Sequence, residues 1–364
     1  MKIETNRFIY SSNTKYTKNN LASQTNICNK NTFKSLNVSK KNISNNCNIK
    51  WLLTMGTAIS TIVGKTFMKN DKTSSIENTN DVIRTYNFKQ HGKDGIPLKY
   101  PRKNFINDIK KVLESVPENK QAELLAKFDL SLGENDIDGI PTIDNFVPIK
   151  KSEEKIFNLI TKFYNNKTSI KDPKAKKVFN NILKQHPEFA MTIGKPQHQT
   201  HIYSVDIHSL ETLKKVVSTP EYENLSEEDK IVAQYAILMH DYGKKGNVIT
   251  RGHATLSKDY AEKILDKKKD LNPETKDRIL KLILHHHWFE GYNLGYLTAE
   301  NIAKDFVKPE DRKIAIMMAK GDFESVKPTF HLRKLVKDKE LTPEEYEETF
   351  KSKMENLYKD MEAY

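Results

Sequence analysis

Cysteine is scarce in this sequence: Cys28 and Cys47 are the only two among 364 residues. Two cysteines in one polar stretch exclude a disulfide framework as the basis of the fold. We therefore expect a reducing compartment and a cytoplasmic protein. Glycine and proline are also few, at 13 residues each, which excludes collagen-like sequence. With 37% hydrophobic and 30% charged residues, the chain has the balance of a helix-rich globular protein that can bury a core.

Acidic residues are nearly absent from the first fifty positions. Glu4 stands alone there against nine lysines and arginines, and Asn, Ser, Thr and Lys dominate the composition. Such a stretch cannot bury enough apolar surface to offset the entropy of ordering it. We predict that residues 1–50 form a disordered basic tail that carries much of the net charge of +12. A basic charge attracts polyanions in general, but it establishes no specific nucleic-acid binding.

One segment, residues 51–68, forms a long apolar run (WLLTMGTAISTIVGKTFM). Lys65 interrupts it, and its Thr, Ser and Gly residues make it marginal as a membrane span. The segment is either a membrane helix or interfacial anchor, which would tether the protein weakly to a membrane, or a piece that docks elsewhere or stays unstructured. The sequence leaves both interpretations open.

Residues 70–150 form a mixed region that carries little recognisable chemistry. It contains no glycine-rich nucleotide-binding loop and no paired-aspartate signature of a nucleotidyltransferase. Asp-Gly-Ile-Pro occurs twice, at Asp94–Pro97 and Asp138–Pro141. Asp-Gly favours a tight turn, and a residue before proline is pushed toward extended geometry, so we expect two similar hooks. Apolar spacing predicts helices over residues 104–116 and 120–128 between and beside them.

From residue 151 onward the apolar residues recur at helical spacing. This pattern predicts an all-α region over residues 151–340 and a C-terminal packing or dimerisation helix within 341–364. Capping residues and helix-starting prolines mark several of the predicted starts. The predicted helices span 152–164 and 173–185, follow Ser226 up to about His240, and begin at Asn272-Pro273, Lys308-Pro309 and Thr342-Pro343.

Histidine is concentrated in the same region: eight of the 11 histidines lie between His198 and His287. The best-placed candidates are His208, the adjacent pair His240-Asp241, and Asp322, all on predicted helices or at their ends. Imidazole and carboxylate groups are common metal ligands, and helices are rigid supports for them. Adjacent His and Asp at a helix end can both reach one metal ion. The pattern therefore predicts a metal site.

The segment from about 195 to 327 resembles the HD superfamily of metal-dependent phosphohydrolases. The family pattern is a histidine, an adjacent His-Asp pair and a distant aspartate, all on helices. The matching strings are His240–Lys244 (HDYGK, the HD-x-G-K form), Gly252-His253, Ile279–His287, and His201–His208, which is similar to HD domains attached to nucleotidylyl-transferring enzymes. The subfamily stays unassigned. The resemblance implies an all-α HD-domain helical bundle with extra flanking helices, beside a disordered or weakly structured N-terminal region.

The resemblance also implies a site with one or two divalent metal ions (Mn, Mg, Fe, Zn, Co or Ni). The first would be held by His208, His240, Asp241 and Asp322. The second would be bridged by Asp241 and held by His253 and by His286 or His287, whereas His285 is expected to face solvent. Asp241 and Lys244 are the catalytic candidates, and Lys244, Arg251 and His201 the candidates for substrate binding.

The expected reaction is hydrolysis of a phosphomonoester or phosphodiester by a metal-activated water, and the expected partner is a small phosphorylated substrate, a nucleotide. Two alternatives stay open. Some HD-fold proteins with two irons are oxygenases, and the same residues supply their ligand set. A non-catalytic module that senses a nucleotide is the other.

Overall fold

A computed structural model of the chain describes residues 72–133, 137–198, 201–250, 252–293, 295–325 and 342–362. These residues are mostly helical and lie within one compact unit, Lys69–Tyr364. The α-helices are α1 (Lys72–Thr85), α2 (Arg102–Glu114), α3 (Glu118–Ala126), α4 (Lys151–Tyr164), α5 (Pro173–Gln185), α6 (Val205–Val217), α7 (Pro220–Glu223), α8 (Glu227–Met239), α9 (His253–Leu265), α10 (Pro273–Leu284), α11 (Trp288–Asn293), α12 (Ala299–Asp305), α13 (Pro309–Glu324) and α14 (Pro343–Glu362).

Short 3₁₀ helices span Phe88–His91 and Pro187–Thr192. The only sheet among the described residues is a hairpin of β1 (Ser131–Leu132) and β2 (Ile137–Asp138), paired antiparallel with Ser131 opposite Asp138. The prediction of an all-α bundle with flanking helices is confirmed. The predicted division of the chain at residues 70, 151 and 341 stays a prediction.

Several helices begin where a polar side chain caps them. Asp172 accepts from the amide of Ala175 at the start of α5, and Asn272 accepts from Thr275 at the start of α10. Ser226 accepts from the amide of Asp229 at the start of α8. Such caps satisfy amides that have no partner inside the helix. The helix starts in the chain are therefore set by local chemistry that is visible in the sequence.

The first Asp-Gly-Ile-Pro hook supports the start of α6. Gly95 has a φ of +73°, and a Cβ there would lie 2.4 Å from the amide nitrogen of Gly194. Asp206, in the first turn of α6 and buried, accepts from the amides of Ile96 (2.8 Å) and Gly194 (3.1 Å). The hook thus fixes the backbone two residues before His208.

The second hook is anchored to the same part of the molecule. Gly139 has a φ of +113°, and the carbonyl oxygen of Ile137 accepts from Arg102 Nη2 (2.6 Å). Asp138 and Lys195 are both buried and form an ion pair at 3.6 Å. Through these contacts the region before residue 151 packs on the segment that leads into α6.

The helices that carry the candidate site are held together by a buried ion network and by one close helix contact. Arg278 of α10 donates to Asp311 of α13 (2.7 Å) and to Asp229 of α8. Gly321 of α13 lies so close to α6 that a Cβ there would be 3.0 Å from the carbonyl oxygen of Thr212. Helices α6, α8, α10 and α13 therefore form one packed group.

Residues 1–50, residues 51–68 and Arg251 lie outside the described residues, so the predictions of a disordered tail, an anchor and an arginine contact stay predictions. No helix in the described part of the chain is both long and apolar enough to cross a membrane. The cytoplasmic location is likewise still a prediction.

Candidate metal centre

Five helices meet at the candidate site. Residue His208 comes from α6, the pair His240-Asp241 from the end of α8, and Asp322 from the last turn of α13. A second group consists of His253, which begins α9, and His286 and His287, which follow the end of α10. The structure thus brings together all seven residues that the sequence suggested as metal ligands.

The first group is compact and buried. The Nε2 atom of His208 lies 2.8 Å from Asp322 Oδ1 and 3.4 Å from His240 Nε2. The Nε2 atom of His240 lies 3.8 Å from the same Asp322 oxygen. Both histidines are completely buried. Donor atoms this close together are arranged to share one metal ion.

The second group consists of histidines alone. The Nε2 atom of His253 lies 3.2 Å from His286 Nε2 and 3.0 Å from His287 Nε2. Three imidazole nitrogens that meet in this way are also suited to one metal ion. The neighbouring His285 turns away and lies 3.5 Å from Asp305, with about a third of its side chain exposed.

Asp241 lies between the two groups, and each of its oxygens faces one of them. Its Oδ2 is 3.4 Å from His208 Nε2 and 3.3 Å from His240 Nε2. Its Oδ1 is 3.2 Å from His253 Nε2 and 4.0 Å from His286 Nε2. The residue is 1% exposed, and neither oxygen accepts a hydrogen bond of ordinary geometry. A buried carboxylate without such donors needs another positive partner.

Backbone carbonyls select the tautomer of four of these histidines. The Nδ1 atom lies near a carbonyl oxygen in His240 (Ile237, 2.7 Å), His286 (Ile283, 2.7 Å), His253 (Thr250, 3.1 Å) and His208 (Ser325, 3.5 Å). A carbonyl oxygen only accepts, so the proton belongs on Nδ1 and the lone pair on Nε2. In metal sites, a hydrogen bond of this kind on the far ring nitrogen fixes the tautomer and the orientation of a histidine ligand.

The charges of the site favour ligating forms of its carboxylates. Burial alone would raise the pKa of Asp241, but His240 and Lys244 outweigh it and hold that pKa well below its usual range. Burial also acts to raise the pKa of Asp322, and the hydrogen bond and charge of His208 hold it well below. Both aspartates are therefore carboxylates at neutral pH.

The net pKa shifts of two of the histidines are opposite in direction, although burial acts to lower both. It lowers the pKa of His286 well below the usual value, with a further contribution from His287, so His286 is neutral. Burial also acts to lower the pKa of His240, but Asp241 and Asp322 outweigh it and raise that pKa. A metal ion bound at His240 would therefore compete with a proton for this side chain.

A glycine allows the second group to approach Asp241. A Cβ at Gly243 would lie 2.5 Å from the carbonyl oxygen of His253 and 2.6 Å from the amide nitrogen of Ser257. The amide of Gly243 also donates to Ser257 Oγ (2.8 Å). The glycine of the HDYGK string therefore lets the chain after Asp241 lie against the first turn of α9.

The ammonium group of Lys244 lies at the edge of the site. Its Nζ is 2.7 Å from Asp241 Oδ2, donates to Gln197 Oε1 (2.7 Å), and lies 3.2 Å from His201 Nε2. Burial, with help from Lys244, lowers the pKa of His201 to about 2, so this imidazole is a neutral acceptor. Sequence reasoning missed Gln197, because its segment has no periodicity that would single it out.

Residues 205–319 match the family model of the HD domain. This segment is an HD domain. The match begins at the first residue of α6 and ends three residues before Asp322, so Asp322, Gln197 and His201 lie outside it. No curated protein and no solved structure matches the chain. HD domains bind divalent metal ions, and each of the two groups of donors described above could hold one.

Proposed function

We propose that the HD domain hydrolyses a phosphomonoester or phosphodiester, in a nucleotide, with the help of divalent metal ions. The observation that carries this proposal is the buried Asp241 carboxylate, which has one oxygen toward each group of donors and the Lys244 ammonium beside it. Two adjacent metal sites with an ammonium group beside them are suited to a phosphoryl group, because its oxygens are negatively charged.

The donors fit divalent metal ions. The Asp241 oxygens, which accept no hydrogen bond of ordinary geometry, and the Nε2 atoms of the surrounding histidines are placed for ligation. One ion would be held by His208, His240, Asp241 and Asp322, and a second by Asp241, His253, His286 and His287. A bound ion would supply Lewis acidity toward a phosphoryl oxygen and would lower the pKa of a water ligand to about 7.

Besides the metal ions, protein side chains bind and orient the substrate. Lys244 gives a phosphoryl oxygen a positive charge next to Asp241, and the neutral His201 lines the same edge. In the overall reaction, water adds to phosphorus, the P–O bond of the ester breaks, and the leaving alcohol takes up a proton. Four of the donors, His208, His240, Asp241 and His286, are buried, which keeps bulk water away from them and strengthens the interaction of the site with phosphate.

The di-iron oxygenase is the second candidate, since the same His and Asp donors would hold two irons. The position of Lys244 favours a phosphate substrate, because a fixed ammonium group 2.7 Å from the shared carboxylate offers a positive charge to phosphoryl oxygens. The nucleotide-sensing module would also use Lys244, but it would not turn the nucleotide over.

The test compares the wild type with Asp241→Asn and with Asp277→Asn, a matched change at an exposed aspartate paired with Lys281. Each protein is loaded with manganese or iron and assayed with a panel of phosphomonoesters, phosphodiesters and nucleotides, and for oxygen consumption. We expect hydrolysis by the wild type and by Asp277→Asn, and a loss of at least about a hundredfold in Asp241→Asn.

Three other outcomes would contradict the proposed hydrolysis at Asp241. Oxygen consumption with iron and no hydrolysis would replace the proposal with the oxygenase. Tight nucleotide binding without turnover would replace it with the sensing module. Equal hydrolysis by the wild type and Asp241→Asn would place the reaction elsewhere and overturn the proposal.

A further inference from the structure

The three hydrogens of the Lys244 ammonium group have unequal surroundings. An ammonium group has three N–H donors. Two have acceptors nearby, Gln197 Oε1 at 2.7 Å and His201 Nε2 at 3.2 Å. Asp241 Oδ2 is also 2.7 Å away, but it does not accept a hydrogen bond of ordinary geometry. Among the hydrogen bonds of the described residues, the third N–H has no acceptor, so it is available to a group that binds beside Asp241.

Gln197 is itself fixed in place. It is 6% exposed, and its Nε2 donates to the carbonyl oxygen of Tyr203 (3.2 Å), just before α6 begins. The orientation of its amide follows from these two contacts, because a carbonyl needs a donor and an ammonium needs an acceptor. A fixed acceptor removes rotational freedom from a lysine side chain, which otherwise has many rotamers.

Lys244 is the only lysine or arginine in ion-pair contact with Asp241 in the described part of the chain. Its direction therefore decides whether a cation meets a phosphoryl oxygen bound beside that carboxylate. Without Gln197, the ammonium group would lose its closest neutral acceptor and could turn toward solvent, since the lysine side chain is already 14% exposed.

We infer that Gln197 is a positioning residue that holds the Lys244 ammonium group beside Asp241, with one N–H directed to the substrate phosphate. This inference rests on the proposed hydrolysis and adds to it a residue outside the segment matched as an HD domain. Among the described residues, Gln197 makes hydrogen bonds with Lys244 and Tyr203 and with neither group of metal donors, so we expect it to act through Lys244.

The first experiment needs no catalytic activity. The full-length chain is treated briefly with acetic anhydride, and acetylation of Lys244 is followed by mass spectrometry of its peptide. We expect Lys244 to react severalfold faster in Gln197→Met, which removes the acceptor at similar side-chain length. The control is Gln121→Met, because Gln121 also donates to backbone carbonyls (Leu113 and Val116) but lies on α3. Equal rates for Lys244 in all three proteins would overturn the inference.

The second experiment is a double-mutant cycle on kcat/KM for the best phosphate substrate. We expect Gln197→Met to lower kcat/KM about tenfold, the loss of one hydrogen bond to a charged group. In a Lys244→Met background the same change should have no further effect, because residues that act through one group are not additive. Metal content should equal that of the wild type. Equal losses in both backgrounds would mean that Gln197 acts without Lys244, and the inference would be wrong.

The two experiments separate the inference from the proposed function. If the metal-loaded wild type hydrolyses no phosphate ester, the proposed function fails, and the acetylation rates still decide whether Gln197 holds Lys244. If hydrolysis is present but neither the labelling nor the cycle links Gln197 to Lys244, the proposed function stands and the inference alone is overturned.

Discussion

The two oxygens of Asp241 face different groups of histidines, and the whole arrangement depends on that one side chain. The Oδ2 atom of Asp241 faces His240 of the first group, and its Oδ1 atom faces His253 of the second group. The His-Asp pair could be recognised in the sequence as a ligand motif. The direction of each oxygen could not, because it depends on how α8 ends and where α9 begins.

The role proposed for Gln197 could not be predicted from the sequence alone. A ligand histidine is suggested by its chemistry and by its position on a helix. The hydrogen bond from Lys244 to Gln197 joins residues 47 positions apart, and the residues around Gln197 are not helical. Only the packed structure brings such a pair together.

His186 gives a prediction for pH dependence outside the site. Burial, with help from the charge of Lys268, lowers the pKa of His186 to about 3. Below the unfolded pKa of about 6.5, the unfolded chain binds a proton that the folded protein does not, so stability falls as pH decreases from 6.5 toward 3. For one such group, the free energy of unfolding changes by up to about 1.4 kcal/mol per pH unit.

The test uses His186→Phe, which keeps a ring against Tyr235, whose centroid is 4.5 Å away. Urea unfolding at pH 7 and pH 5 should show that the wild type loses about 2 kcal/mol more than the variant over this interval. Equal decreases in the free energy of unfolding of the two proteins would show that His186 does not take up a proton on unfolding. That result would contradict the effect expected from its burial.

At the scale of helices, much of the fold could be predicted from the sequence, for a local reason. Asp172-Pro173 and Asn272-Pro273 begin helices through caps and prolines, and apolar spacing sets their buried faces. The end of α10 could not be predicted from the apolar spacing. The helix ends at Leu284, before the histidines, and the turn after it lets His286 and His287 both approach His253. Adjacent residues on a regular helix point about 100° apart.

The contact between α9 and the end of α8 gives a prediction for Gly243→Ala. The added Cβ would meet the backbone of His253 and Ser257, which cannot move as a flexible side chain would. We expect the free energy of unfolding to fall by about 1–3 kcal/mol, the usual cost of overpacking, and the second group of donors to lose metal.

The control for this change is Gly246→Ala. Gly246 has a φ of +56° and open space around its Cβ position, so alanine strains the backbone there without displacing a neighbour. Its stability should fall, but its metal content should not. Unfolding by urea and metal analysis of both variants check the pair, and unchanged metal in Gly243→Ala would contradict the role of this contact.

Arg278 gives a prediction for the packing of three helices. It is 6% exposed and joins Asp229 of α8 and Asp311 of α13. Replacing it with methionine would leave both carboxylates buried without a positive partner. We expect Arg278→Met to lower the free energy of unfolding by about 3–5 kcal/mol.

The matched control is Lys281→Met, on the same helix. Lys281 pairs with Asp277 at the surface, where both side chains are about half exposed or more. Exposed pairs contribute less than about 1 kcal/mol. Denaturant unfolding measures both variants, and similar losses in the two would show that the buried network does not stabilise the fold as described.

For the whole molecule, the sequence pattern identified the HD domain but said little about what surrounds it. The region before residue 151 shows no recognisable chemistry in its sequence, yet its first hook donates to Asp206, two residues before His208. A four-residue string could indicate a turn, but the residue it contacts is 110 positions away. Long-range contacts of this kind need the packed structure, and here they make the flanking region part of the support for the site.

We propose that one carboxylate, Asp241, serves two groups of metal donors. The most direct measurement is the metal content per chain of the manganese-loaded wild type, of Asp241→Asn, and of Asp277→Asn. We predict about two ions per chain in the wild type and in Asp277→Asn, and fewer than about one in Asp241→Asn, because both groups lose their shared ligand. A wild type without bound metal, or an Asp241→Asn protein that holds as much as the wild type, would contradict the claim.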